Sequence, residues 1–282
     1  MSAARTVAFA GLGVMGRLMS ANLRRAGYAL RSYVLNGTGN CRSPLEAARG
    51  CDFLVTMLPD GRAVRQVLRA ALPGLRRGAT VIDMSSADPE GTRALGATLE
   101  ACGIDMLDAP VSGAKAKARD GTLTFMVGGS AAVLRRARGV LSVLGERIFH
   151  VGPLGAGHVA KALNNYLGAA GTIAGFEALL VARAWGLDER VLVESINAST
   201  GRNSTTERKI PQQVFTGRFA SGFRLALMAK DVGIAARIAR RARVAAPYLG
   251  ATLRVWRNAR SRMPEDADHT ELLHYLEALR RN

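Results

Sequence analysis

Two hydrophobic rhythms divide this chain near Gly155. From Thr6 to about Pro153, short apolar runs alternate with amphipathic stretches whose apolar positions recur every three or four residues, the pattern of parallel strands joined by covering helices. Strands are predicted at Thr6 to Ala10, Leu30 to Leu35, Phe53 to Leu58, Thr80 to Asp83, Asp105 to Asp108, Leu123 to Val127 and, briefly, near Ile148. Helices are predicted between them at Arg17 to Ala26, Arg62 to Ala71, Pro89 to Cys102 and Ala131 to Leu144. Asp88, followed by Pro89 and Glu90, supplies a helix start. Beyond Gly152-Pro-Leu-Gly155 the strand rhythm stops, and helices follow at about His158 to Trp185, Glu189 to Ala198, Leu225 to Ala242, Pro247 to Arg262 and His269 to Arg280. The expected fold class is α/β: a doubly wound sheet over residues 1–153, then an all-α domain over 154–282 that begins with a long inter-domain helix.

The first predicted strand runs straight into Gly11-Leu12-Gly13-Val14-Met15-Gly16, and a helical pattern follows at once. In that order the first glycine permits a tight turn, the second lets backbone approach a pyrophosphate, and the third lets helix pack on strand. The helix N-terminus then holds the anion. A dinucleotide site is therefore expected on Gly11, Leu12, Gly13, Val14, Met15 and Gly16. Between Asn36 and Phe53 there is room for one or two helical turns, Pro44 to Arg49, and not for a crossover helix, a third strand and a further helix. The usual third strand and the helix before it are predicted to be absent. The loss falls where an acid would select NAD or an arginine would admit the phosphate of NADP, and Tyr33-Val-Leu-Asn36-Gly-Thr38 holds neither. Asn36 is the expected cofactor contact there, and the positive field of the chain tilts the expectation toward NADP over NAD.

Composition narrows the class. With 282 residues and 48% apolar content, the chain suits two domains better than one and can bury a substantial core. Apolar tracts such as Tyr166 to Phe176 are broken by glycines and soon meet Glu177, so no segment is expected to span a bilayer, and no secretory leader precedes the first strand. Cys41, Cys51 and Cys102 lack C-x-x-C spacing and fit reduced thiols in a cytoplasm. The four histidines form neither H-x-x-x-H nor H-E-x-x-H, so no metal site is expected, and the absence of G-x-S-x-G removes a common hydrolase signature. A formal net charge of +17 suits a polyanionic partner. The arginines are nonetheless scattered one or two at a time, with no long basic run or interleaved aromatics, so nucleic acid is disfavoured as a partner and a bias toward arginine on solvated faces is preferred.

That bias makes the lysines informative. The 39 basic residues include only five, Lys115, Lys117, Lys161, Lys209 and Lys230, and an amine can be tuned toward neutral pH where a guanidinium stays protonated. Gly155-x-Gly157-x-x-x-Lys161-x-x-Asn164-Asn165 sets Lys161 and Asn165 four apart, on one face near the start of the long helix. They form either a proton-transfer site at the inter-domain cleft or a surface lysine beside a hydrogen-bonding amide. Lys230-Asp231 is a further candidate or an exposed ion pair. Asp108-Ala-Pro-Val-Ser112-Gly113-Ala114 makes a loop at the carboxyl end of a strand, where open parallel sheets bind ligands, and the Ser112 hydroxyl with the amides after it suits a carboxylate. Ser85-Ser86 either lines the same crevice, with Ser86 against the cofactor, or caps the Pro89 helix.

Taken in order, Gly11 to Gly16 with Asn22-Leu23, Met57-Leu58-Pro59-Asp60, Asp108 to Gly113, Gly155 to Asn165 and Lys230-Asp231 resemble the β-hydroxyacid dehydrogenases over nearly the full chain. The resemblance implies an N-terminal Rossmann domain, a C-terminal helical domain, and a homodimer or homotetramer formed through the helical half. It implies an NAD(P)-dependent oxidoreductase that moves a hydride between its cofactor and a small carboxylate-bearing substrate, a 3-hydroxy or 2-hydroxy acid or the matching semialdehyde or keto acid. In that scheme Lys161 is the general acid/base, Asn165 orients it or the substrate, and Ser112 with Gly113 binds the substrate carboxylate. Lys230 approaches substrate and nicotinamide, Asp231 holds that segment, and Met57, Leu58 and Pro59 flank the cofactor. Ala114 departs from the family's usual second glycine, which bears on substrate fit. Two alternatives stay open: an imine reductase of the same plan, and a non-catalytic dinucleotide- or nucleic-acid-binding protein derived from it.

Overall fold

The computed structural model describes residues 5–35, 37 and 39–279. The chain divides into two compact units, residues 1–161 and 162–282. In the first, β1 (Thr6–Ala10), β2 (Ala29–Tyr33), β3 (Phe53–Thr56), β4 (Thr80–Asp83), β5 (Asp105–Asp108), β6 (Val111–Ser112) and β7 (Leu123–Gly128) form one sheet in the order β2-β1-β3-β4-β5-β7-β6, and β8 (Gly145–Gly152) also pairs with β7. The first five strands are parallel, whereas β7 runs antiparallel to β5 and β6. The connecting helices are α1 (Val14–Arg25), α2 (Pro44–Ala48), α3 (Gly61–Ala71), α4 (Pro89–Ala101), α5 (Ala114–Asp120) and α6 (Ala131–Leu144).

Successive strand side chains point to opposite faces, so each strand feeds two cores. Val7, Phe9, Val55, Ile82 and Leu107 pack with Met19 and Leu23 of α1 and Val140 of α6. Ala8, Leu54, Val81 and Met106 pack with Val64 and Leu68 of α3 and Leu99 of α4. Coverage on both faces is why these strands read as nearly unbroken apolar runs. The sheet grows from β1 toward β2 on one side and β3 on the other, which opens a crevice at the carboxyl ends of β1 and β3.

Between Tyr33 and Phe53 the described residues form one regular element, α2, and β2 lies at the edge of the sheet. That edge is closed without a strand. Asn40 Oδ1 accepts the Ser32 N–H at 2.5 Å, its Nδ2 donates to Leu30 O at 3.1 Å, and the Cys41 N–H donates to Ser32 O at 3.0 Å. One amide side chain and one backbone N–H thus satisfy the groups that a third strand would pair.

The second unit holds most of α7 (Ala156–Ala184), then α8 (Glu189–Asn197), α9 (Leu225–Arg241), α10 (Pro247–Arg262) and α11 (Leu272–Leu279). They enclose Phe176, Trp256 and Leu272, and Trp256 Nε1 donates to Ala169 O at 3.3 Å. By length and composition α7 is apolar enough to cross a bilayer, with mean hydropathy 1.3 over 18 residues, which corrects the expectation that no segment would be. Glycine and alanine interrupt the large side chains without lowering the average. Ala169, Ile173, Phe176 and Leu179 of this helix nevertheless sit in the core of the unit, so its apolarity has an internal use.

Four elements differ from expectation. β6 has two residues, too few for any rhythm to show, and α5 buries only Ala118, so no apolar stripe marks it. Thr205–Val214 forms a π-helix where Pro211 and polar neighbours read as loop. β8 is eight residues long rather than a short strand.

Asn40→Ala leaves the Ser32 N–H and the Leu30 carbonyl of β2 without their partners. The expected loss is about 1–3 kcal/mol of unfolding free energy, measured by urea denaturation.

Candidate active site

The glycine turn has the geometry its spacing requires. Gly11 has φ of +101°, and a Cβ there would collide with the Met57 carbonyl, while a Cβ on Gly16 would collide with the Gly11 carbonyl. Gly13, the residue before α1, faces open space. No side chain caps this helix and no acid lies in its first turn, so its leading N–H groups suit an external anion. Leu12, Met15 and Met57 are half-buried against the core beneath, and Val14 is exposed. This cradle fits the pyrophosphate of a dinucleotide. Leu58 follows β3 and donates its N–H to Ser85 Oγ at 2.9 Å; Pro59 is exposed and Ser86 half-buried. Asn36 lies outside the described residues.

Asp108, the last residue of β5, is fully buried, and its two oxygens accept the N–H groups of Gly155 and His158 at 2.7 Å each. These are orphan donors at the head of α7, and a carboxylate there complements the helix dipole. The helix therefore starts at the carboxyl edge of the sheet. Lys161 stands half-buried three residues after His158. Ser112 pairs with Thr124 in β7, and Gly113, at φ of +141°, leads into α5. Ala114 is held in the left-handed region at φ of +57°, a strain that glycine at this position would not carry.

In the second unit the structure brings three further expected residues together. Buried Asn165 donates through Nδ2 to Asp231 Oδ2 at 2.6 Å, and Lys230 Nζ stands 3.3 Å from Asp231 Oδ1. The segment before α9 is held by Asp268, which accepts the N–H groups of Gly222 and Phe223 and the hydroxyls of Ser221 and Thr270. Burial works against the charge of Asp268, yet its hydrogen bonds hold the carboxyl well below the usual carboxylate range.

Two groups escaped the sequence reading. His158 was set aside for lack of a metal-like partner, yet its ring is sealed from solvent. Its Nε2 donates to Ser85 O at 3.0 Å, Nδ1 meets Thr92 Oγ1 at 2.9 Å, and Asp83 and Asp108 each bring an oxygen within 3.8 Å of the ring. A signal was present: Asp83 and Asp108 end apolar strands, and buried acids demand buried donors. Lys209 reaches Thr172 Oγ1 at 2.6 Å and Thr205 Oγ1 at 3.3 Å. Burial pushes its amine down to about 8, with Arg208 adding to the effect and Asp268 opposing it.

Residues 6–152 match the family model described as the NAD binding domain of 6-phosphogluconate dehydrogenase, and residues 155–276 match the NAD-binding model of NADP-dependent 3-hydroxyisobutyrate dehydrogenase. The chain is 33% identical to 2-(hydroxymethyl)glutarate dehydrogenase of Eubacterium barkeri, with 90% of this chain and 89% of that protein covered. It is 37% identical to NAD-dependent L-serine dehydrogenase of Pseudomonas aeruginosa, covering 90% and 91%. The solved structure of Mycobacterium tuberculosis 3-hydroxyisobutyrate dehydrogenase with L-serine superposes with a TM-score of 0.90 at 34% identity, covering 97% and 99%. The chain belongs to the β-hydroxyacid dehydrogenase family and is an NAD(P)-dependent oxidoreductase acting on hydroxy acids. An imine reductase of Streptomyces aurantiacus lies further off, at 18% identity and a TM-score of 0.64, and shares the fold.

Two outcomes follow from these environments. Ala114→Gly relieves the left-handed strain and is expected to raise the unfolding free energy by about 0.5–1 kcal/mol in urea. The Lys209 amine titrates near 8 in the folded chain against 10.5 when exposed, so the folded state disfavours its charge at neutral pH. That deficit is fully present below pH 8 and is relieved as pH rises toward 10.5. Relative to Lys209→Met, the protein should therefore gain stability across this window, of the order of 2 kcal/mol for a partly accessible amine, in paired denaturant series at pH 7.5 and 10.

Proposed function

We propose that this dehydrogenase acts on a small carboxylate carrying a primary alcohol at carbon 3 and a substituent at carbon 2, with Lys161 as the general acid/base. The names of three relatives motivate the substrate class: 3-hydroxyisobutyrate, L-serine and 2-(hydroxymethyl)glutarate share that skeleton. The observation that carries the role of Lys161 is the tie from Asp108 to the head of α7. It sets a half-buried lysine two turns along a helix that starts at the ligand-binding edge of the sheet.

A bound NAD(P) would supply the hydride acceptor in oxidation and the hydride donor in reduction. The N–H groups at the start of α1, with Gly11, Gly13 and Gly16 beneath, would hold its pyrophosphate. The Ser112 hydroxyl and Gly113 N–H take the substrate carboxylate. Lys161, as the free amine, removes the hydroxyl proton while the hydride departs. As ammonium it returns that proton to the carbonyl oxygen in the reverse direction. Asn165, oriented by Asp231, is assigned to orient the substrate or the amine, and Lys230, 3.3 Å from Asp231, to contact the substrate.

The finer assignments form part of the same reading. NADP is preferred over NAD, supported by the lack of an acid in Tyr33-Val-Leu-Asn36 and by the net charge of +17. Oligomerisation runs through the helical unit, where Leu163, Leu167 and Val181 of α7 and Trp185 just after it leave apolar surface exposed. Reduced thiols at Cys41, Cys51 and Cys102 support a cytoplasmic setting.

Lys161→Met is the decisive variant. The turnover number with 3-hydroxyisobutyrate, L-serine and 2-(hydroxymethyl)glutarate is expected to fall by about 10²- to 10⁴-fold, with dinucleotide affinity unchanged by calorimetry. Unaltered turnover removes the lysine from the mechanism, and activity confined to cyclic imines removes the substrate class.

A further inference from the structure

We propose that His158 is a positioning residue that couples the cofactor-side loops after β3 and β4 to the turn of α7 carrying Lys161; the inference rests on Lys161 being the proton-transfer group. Three polar groups of His158 are engaged within the first unit. Its backbone N–H is held by Asp108 at the end of β5. Because a carbonyl oxygen only accepts, ring Nε2 carries the hydrogen that meets Ser85 O, and Nδ1 faces the Thr92 hydroxyl on α4.

Ser85 extends the connection. Its Oγ accepts the Leu58 N–H and its own N–H donates to Asp83 Oδ1, which also accepts from Thr56 Oγ1. Leu58 in turn lies beside Gly11, whose turn cradles the pyrophosphate. A chain of hydrogen bonds therefore runs from the nucleotide turn side of the sheet through Leu58, Ser85 and His158 into α7, and Lys161 follows one helical turn later. The titratable groups facing the ring are Asp83 and Asp108, with oxygens 3.8 and 3.7 Å away. The second oxygen of Asp83 has no hydrogen-bond partner among the described residues, and ring Nε2 lies 3.8 Å from it.

This arrangement has a use in hydride transfer. The reacting carbon must meet the nicotinamide while its oxygen meets the lysine, so the distance between cofactor turn and amine has to be fixed from the protein side. A backbone tie at Asp108 fixes where α7 begins. The ring ties at Ser85 and Thr92 fix its rotation about its axis, which an N-terminal carboxylate alone leaves free.

The test is a double-mutant cycle of His158→Gln with Lys161→Met. His158→Gln alone is expected to lower kcat by about 10- to 100-fold while leaving dinucleotide affinity within about twofold. In the Lys161→Met background it should add no further loss, because a residue that works through the lysine is silent once the lysine is gone. Losses that multiply in the double variant, or a His158→Gln turnover within about twofold of wild type, overturn the proposal. Thr92→Val leaves the ring in place and removes its Nδ1 partner, along with the hydroxyl's contact to Asp88 O at the start of α4, and is expected to show the same non-additive pattern at about 3- to 10-fold; it carries the cycle where His158→Gln does not fold. Full activity in Lys161→Met is a separate failure, since it overturns the lysine assignment whatever the cycle shows.

Discussion

Two carboxylates with almost no access to water govern the carboxyl edge of this sheet. Asp83 and Asp108 end neighbouring parallel strands, and each would cost several kcal/mol to bury without donors. Apart from Ser85, two residues beyond Asp83, the donors come from elements far apart in sequence: Thr56 for Asp83, Gly155 and His158 for Asp108. Three strands and the head of the long helix are thereby held in one arrangement. Mutual satisfaction is the constraint, since removing any donor leaves a buried acceptor exposed to the full desolvation penalty.

The helical unit repeats the principle on a smaller scale. Asp231 is buried, takes a hydrogen bond from Asn165 on α7 and stands against the ammonium of Lys230 on its own helix. Asp268 gathers the turn before α9 in the same way. In both units acidic groups organise backbone and amide donors, and the amines we propose for the chemistry stand on the helices they help to hold. Fixed dipoles set in place by folding need no rearrangement when charge develops on a substrate.

Much of the nucleotide-holding half was legible because its signals are local. The Gly11 to Gly16 spacing announces its turn within six residues, although the Met57 carbonyl that crowds Gly11 lies far along the chain, and the short interval before Phe53 left no room for another strand. Helical spacing and the rarity of lysine in an arginine-rich chain are what single out Lys161 and Asn165 as candidates. What stayed hidden depends on partners distant in sequence. His158 carries no motif, and its role exists only because Asp83, Ser85, Thr92 and Asp108 converge on it. Lys209 lies in a π-helix whose proline reads as a break, so its burial against Thr172 had no periodicity to announce it. Ala114 was noticed as a departure, but its left-handed backbone is a property of coordinates.

The way Asn40 closes β2 bears on how the protein survives at high concentration. A parallel sheet that ends in a bare strand offers a template onto which another chain can add, the first step toward cross-β association. Here the inner groups of that strand are already taken by a single amide and a neighbouring N–H, and exposed Arg31 on the same strand donates to the Arg49 carbonyl. A domain shortened by a whole strand and helix thus keeps its open side from becoming adhesive.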